Sequence, residues 1–82
     1  MIIHNTQELG RFLKDQRKRD MLSQSDIAEQ VGIKQATVSA FENDPSFSKL
    51  DTFFRLLSAN GLEISLDKKN RTNSDNNWSE EW

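Results

Sequence analysis

The 82-residue chain contains no cysteine, which excludes a disulfide framework, thiolate metal sites and a cysteine nucleophile, and fits a reducing, cytoplasmic setting. No apolar run approaches the roughly 20 residues that a membrane span needs. The opening MIIHNTQELG lacks a basic region followed by an apolar stretch, so neither a membrane association nor a secretory leader is expected. The one histidine, His4, sits near the terminus and is expected at the surface. No Ser/His/Asp arrangement, paired carboxylates, phosphate loop or metal-ligand spacing is present, so the chain is read as a non-enzyme without cofactor or metal.

What remains suits one small domain. Hydrophobic residues make up 34% and charged residues 29%, modest for a packed core but within the folded range. A domain of this size buries only roughly 60% of the surface of its unfolded chain, so its stability alone is expected to be marginal. The formal net charge of −2 argues weakly against a polyanion partner, but the charge is unevenly spread. The last eight residues hold Asp75, Glu80 and Glu81 and no base, and without them 11 basic groups face 10 acidic ones. Lys14, Arg17, Lys18 and Arg19 cluster within six positions, either as a solvated helix face or as a phosphate clamp. Local field counts for more than total charge in binding nucleic acid.

Four helices are legible from apolar spacing. In TQELGRFLKDQRKRD, Leu9, Phe12 and Leu13 form one stripe, Thr6 is the expected N-cap and Glu8 lies near the positive helix end. Gly10 inside that helix costs up to ~1 kcal/mol relative to alanine, so close packing there is expected. SQSDIAEQVG begins with Ser23 and Asp26 spaced as a capping box, buries Ile27, Ala28 and Val31, and ends at Gly32, suited to a left-handed turn. QATVSAFEN carries Val38 and Phe41 on one side before Asn43, Asp44 and Pro45 end it. The fourth helix is expected to be capped by Ser48, with Leu50, Phe53, Phe54 and Leu57 as its stripe, and to stop at Gly61. Phe53 and Phe54 read as core, although one could face a dimer partner.

Beyond Gly61 the period changes to two. Leu62, Ile64 and Leu66 alternate with Glu63 and Ser65, the pattern of a five-residue strand with no partner in the same chain. The remainder is polar and rich in Asn and Ser, and is expected to be disordered when free. Trp78 and Trp82 stand out in it as candidate anchors for a partner. The chain thus divides into a helical domain over 1–61, a dimerisation strand over 62–67 and a flexible tail over 68–82.

The second and third helices share the three-residue turn Gly32-Ile33-Lys34, so they must cross steeply. Ala28 is small where they approach, and Ile27, Val31, Ile33, Val38 and Phe41 supply apolar contacts at helix-turn-helix spacing. The stretch SQSDIAEQVGIKQATVSAFEND resembles the helix-turn-helix of phage-repressor-like (XRE, Cro/cI-like) DNA-binding domains, a resemblance covering roughly residues 6–61. It implies an all-α bundle of four to five helices whose third helix enters the major groove of double-stranded operator DNA. With Val38 and Phe41 inward, a step of about 100° per residue turns Ala36, Ser39, Ala40 and Asn43 outward. Lys34, Gln35, Ala36 and Ser39 are then the candidate base readers: Gln35 can pair bidentately with adenine, Lys34 can donate to guanine, and the Ala36 methyl can meet a thymine methyl. Ser23, Gln24, Thr37, Asn43 and Lys49 are the candidate phosphate contacts under the same resemblance. Taken singly, Gln24 and Thr37 also fit ordinary capping or surface roles.

A second resemblance begins at the recognition helix. IKQATVSAFENDPSFSKLDTFFRLL, followed by a short alternating segment and a tail ending in EEW, looks like the HipB antitoxins, the DNA-binding partners of HipA-type Ser/Thr kinase toxins. It implies a homodimer in which Leu62, Ile64 and Leu66 pair with their copies, and a tail that contacts the kinase. Trp82 belongs to the matched ending, whereas Trp78 matches no family pattern and is a candidate toxin contact only as an indole in a polar tail. Two rivals stay open on the sequence. One is a solitary phage-type repressor; the other is a protein-interaction module that kept the fold but lost DNA binding.

Overall fold

In the computed structural model residues 2–69 are described, and the tail residues Trp78 and Trp82 lie outside them. The first helix, α1, spans Thr6–Arg19. Its cap is Asn5, not Thr6: the Asn5 Oδ1 accepts the Glu8 backbone N–H at 2.8 Å. Thr6 is the first helical residue, and its hydroxyl meets the Ser46 Oγ at 3.0 Å, a contact forty positions away that local capping rules cannot see. Helix α2, Gln24–Val31, starts with the expected capping box, Ser23 and Asp26 each bonding the other's backbone N–H. It ends at Gly32, whose φ of 73° needs the left-handed region.

Helix α3 occupies Gln35–Asn43, as the apolar spacing required. A 3-10 turn at Pro45–Phe47 follows, and then helix α4 over Leu50–Ala59. The residue preceding α4 is Lys49, with no side-chain cap bond. Ser48 is used one residue earlier, its N–H closing the 3-10 turn on the Pro45 carbonyl at 3.0 Å. Residues 62–69 adopt no regular secondary structure. The alternating segment therefore does not form a strand within one chain, since a strand needs a second strand to pair with.

The core gathers Leu13 from α1, Ile27 and Ala28 from α2, Val38 and Phe41 from α3, and Leu56, Leu57 and Ala59 from α4. Leu9, Phe12, Val31, Ile33, Phe53 and Leu62 pack around it. The inward stripe of α4 differs from the expected one: Leu56 and Leu57 are buried, whereas Leu50 and Phe54 are exposed. Leu57 belongs to either face of so apolar a helix, so spacing alone left its rotation ambiguous. Phe53 settles it by stacking on Phe41, with ring centroids 6.1 Å apart. Arg55 joins α4 to α2 by donating to the Val31 carbonyl at 3.1 Å, which supplies a partner for a helix-end acceptor.

Gly10 is where α1 meets the end of α3. A Cβ there would stand 2.8 Å from the Glu42 carbonyl oxygen and 3.1 Å from the Pro45 Cδ, so the close packing expected from the sequence is present. Met21, between α1 and α2, has a φ of 60° and is almost fully exposed. A left-handed methionine costs backbone energy that no packing of its side chain offsets. Met21→Gly should therefore raise the unfolding free energy by about 0.5–1 kcal/mol, after allowance for the freer unfolded chain. Urea titration checks this as a higher midpoint at unchanged slope; an unchanged or lower midpoint would show that the turn is unstrained.

Candidate nucleic-acid interface

The short loop between α2 and α3 turns the N-terminal end of α3 outward. Lys34, Gln35, Ala36, Ala40 and Asn43 are exposed, and Thr37 and Ser39 are half-buried. All four candidate base readers therefore lie on the start or outer side of α3, opposite buried Val38 and Phe41. Ser23, Gln24 and Lys49, from the start of α2 and the approach to α4, supply the remaining candidate contacts, with Ser23 and Lys49 exposed and Gln24 half-buried.

What holds this surface in register is a polar network that sequence reasoning missed. Arg17 is buried and makes a two-point pair with Glu42: Nε donates to Oε2 at 2.7 Å and Nη2 to Oε1 at 3.0 Å. Its Nη1 donates to the Leu22 carbonyl at 2.8 Å. Glu42 Oε1 also accepts from Gln24 Nε2 at 3.0 Å, and Gln24 Oε1 accepts from Gln35 Nε2 at 2.9 Å. The chain of bonds runs from the interior of α1, through the C-terminal turn of α3, across the start of α2, to the first residue of α3. It ties the Gln35 amide to that network through one Nε2 hydrogen, and the amide keeps its Oε1 and its other Nε2 hydrogen as acceptor and donor.

Arg17 thus belongs neither to a solvated basic face nor to a phosphate clamp. The signal for its burial was available, because it lies one helical turn beyond Leu13, as Glu42 does beyond Val38, and both neighbours are core. Gln24 serves as the strut between Glu42 and Gln35. The Ser23 oxygen accepts from the Asp26 backbone N–H at 3.0 Å.

The network also sets the charge states. Burial by itself would push the Glu42 carboxyl up, but hydrogen bonds from Arg17 and Gln24 and the positive charges of Arg17 and Lys14 outweigh it, holding Glu42 below the usual carboxylate range. The Arg17 guanidinium is raised by its hydrogen bond to Glu42. Asp26, at the start of α2, is lowered by its bonds with the Ser23 backbone and hydroxyl. The charged pair beneath the reading surface is therefore ionised at neutral pH.

The helix-turn-helix family model matches residues 13–66, from within α1 to the end of the alternating segment. Antitoxin HipB of Escherichia coli is 41% identical over 69 residues, an alignment covering 83% of this chain and 78% of that protein. The chain belongs to the HipB branch of the helix-turn-helix family. Its fold superposes on a solved HipA-HipB-O2-O3 complex with a TM-score of 0.82 at 36% identity, covering 85% of this chain and 99% of that one. A HipB-O4 20mer complex matches with the same TM-score, identity and coverage. Within this HipB-like chain the family match contains every candidate base reader and phosphate contact, together with Leu62, Ile64 and Leu66. It ends before Trp78 and Trp82. The residues matched are those of a DNA-binding helix-turn-helix antitoxin family. Among the described residues no helix is long and apolar enough to cross a membrane.

Proposed function

We propose that this chain is an operator-binding transcriptional repressor and the antitoxin of a HipA-type kinase toxin operon, which it autoregulates as a cytoplasmic homodimer without catalysis of its own. The observation that carries this reading is the outward face of α3, armed by Lys34 and Gln35 and braced from within by the Arg17–Glu42–Gln24 network. Solved HipB relatives that share the fold are complexed with O4, and with O2, O3 and HipA together.

The proposed mechanism is built on that face. Two copies of α3, one from each protomer, enter successive major grooves about one helical turn apart. Gln35 reads adenine through its free amide edge, Lys34 donates to guanine, and Ala36 and Ser39 follow along the groove. Lys49, Asn43, Thr37 and the start of α2 at Ser23 and Gln24 hold the phosphates and set the register. Toxin capture is assigned to the tail through Trp78 and Trp82, on the strength of sequence alone.

The test is binding to a duplex carrying the chain's own promoter, measured across a range of salt. Specific affinity should fall steeply with salt, as counterion release requires. Gln35→Ala should cost about 1–3 kcal/mol on that duplex, relax the preference at one base position and hardly alter binding to random DNA. A variant that keeps the wild-type ratio between promoter and random DNA would remove Gln35 from base reading. A wild-type chain that does not distinguish the two duplexes would remove the repressor function.

A further inference from the structure

Phe47 is 91% exposed, more so than any other large hydrophobic side chain among the described residues. The turn that carries it is nonetheless firmly held. Pro45 is buried against the α1–α3 contact, and Asp44 Oδ1 accepts the Ser46 N–H at 3.1 Å. The Ser46 hydroxyl meets Thr6 at 3.0 Å, and the Ser48 N–H returns to the Pro45 carbonyl at 3.0 Å. A benzyl group is thus displayed to solvent from a fixed backbone, an arrangement that favours association with something.

Phe47 lines an open recess of about 480 Å³ together with Ala36, Thr37 and Ala40 of the recognition helix and Lys49. No carboxylate lines it, and its one charged lining residue is a lysine. Asp51 lies one helical turn before Arg55 and is paired with it at 3.0 Å. The recess is therefore continuous with the base-reading face and carries the sign of charge that suits a polyanion. Ser48 and Thr52 complete a lining that is part polar, and its Phe47, Ala36, Ala40 and threonine-methyl surfaces suit the apolar group that bases expose in the major groove, the C5 methyl of thymine.

We infer that Phe47 is a specificity-determining residue, and that the recess it shares with Ala36 and Ala40 receives the methyl-bearing edge of a thymine while Lys49 holds the adjoining phosphate. This deepens the operator-binding reading and rests on it. It places a second reading element on α3's C-terminal flank, so that the sequence read by one protomer extends beyond the bases reached by Lys34 and Gln35.

The probes are the chain's own promoter duplex with its site located by footprinting, a random duplex of equal length, and promoter duplexes in which single thymines are replaced by deoxyuridine. Phe47→Ala removes an exposed side chain, so the fold should persist, and circular dichroism verifies that it does. Relative to random DNA, the variant should lose roughly tenfold in promoter affinity. At one thymine in each half-site, loss of the methyl should weaken the wild type roughly fourfold and the variant hardly at all. Equal promoter affinities for the two proteins, with the wild type still specific, would overturn the assignment and leave the repressor reading intact. A loss shared by random DNA would turn Phe47 into a sugar–phosphate contact and equally overturn it, as would a deoxyuridine series that weakens both proteins alike. Unchanged DNA binding with weaker binding to the kinase would give the recess to a protein instead. Failure of the wild type to prefer its promoter would overturn both readings.

Discussion

Replacing Arg17 with methionine should lower the unfolding free energy by about 3–5 kcal/mol, because it strands the buried Glu42 charge without its cation. Several acceptors lose their donors at once, the Leu22 carbonyl among them. The pH dependence should change sign with the substitution. In the wild type the Glu42 carboxyl is held below its unfolded value of about 4.3, so the pair's contribution is fully present above that pH and is lost as pH falls through the folded pKa. With the guanidinium gone, burial dominates and pushes the carboxyl up. The folded state then binds its proton more readily than the unfolded one, so the variant should recover stability on acidification relative to the wild type. Asp26 and Asp44, both lowered by bonds within their own turns, are common to the two proteins and cancel in the difference. Denaturant titrations over a pH series check both the size and the sign; parallel curves would show that Glu42 is not the group responsible.

The double variant Arg17→Met with Glu42→Leu separates stability from function. Exchanging a whole buried ion pair for apolar residues of similar size is often neutral for stability. Gln24 would nevertheless lose the acceptor for its Nε2, and with it the brace that orients Gln35. A protein that melts like the wild type but distinguishes its promoter less sharply is the expected result. Full specificity in the double variant would mean that the packing of α2 on α3 orients Gln35 unaided.

The helix-turn-helix unit was legible because its signals are local. Ser23 and Asp26 cap α2 within three residues, Gly32 turns where only glycine is comfortable, and Val38 with Phe41 fixes the inward side of α3. The outward placement of Lys34, Gln35 and Ala36 follows from that rotation alone. The misreadings arose where the deciding contact is distant in the chain. Thr6 is as good a cap as Asn5 by type, but its hydroxyl is engaged by Ser46. Four apolar residues of α4 suited two rotations, and stacking of Phe53 on Phe41 selects one. Arg17 and Glu42 are 25 residues apart, and a charge on an apolar stripe carries no label naming its counterion. Phe47 carried no signal in the sequence, because its exposure is set by how the Pro45–Phe47 turn sits on the fold.

Ile64→Pro should carry the largest consequence for operator binding, since on the proposed pairing of Leu62, Ile64 and Leu66 it acts on the joining of two protomers. Leu62 is half-buried on the core, while Ile64 and Leu66 are exposed and alternate with Glu63 and Ser65. The Leu62 N–H is taken by the Leu57 carbonyl at 2.8 Å. For the residues after it, a strand needs a neighbouring strand for its backbone donors and acceptors, and a second copy is the economical source. Leu50 and Phe54, exposed on α4, offer further apolar surface to that copy. Proline removes one N–H donor and is poorly tolerated inside a paired strand. Because alternate N–H groups point to opposite sides, Ser65→Pro should be made alongside, so that one of the two variants removes a donor that faces the partner. The affected variant should sediment as a monomer at micromolar concentration with its helical signal intact, because residues 62–69 add no helix. A monomer engages one half-site at a time and forfeits the gain from bivalency, so promoter affinity should fall by about 10²–10⁴ while contact with a single half-site persists. Two variants that both remain full dimers would move the interface away from this segment and toward the exposed side of α4.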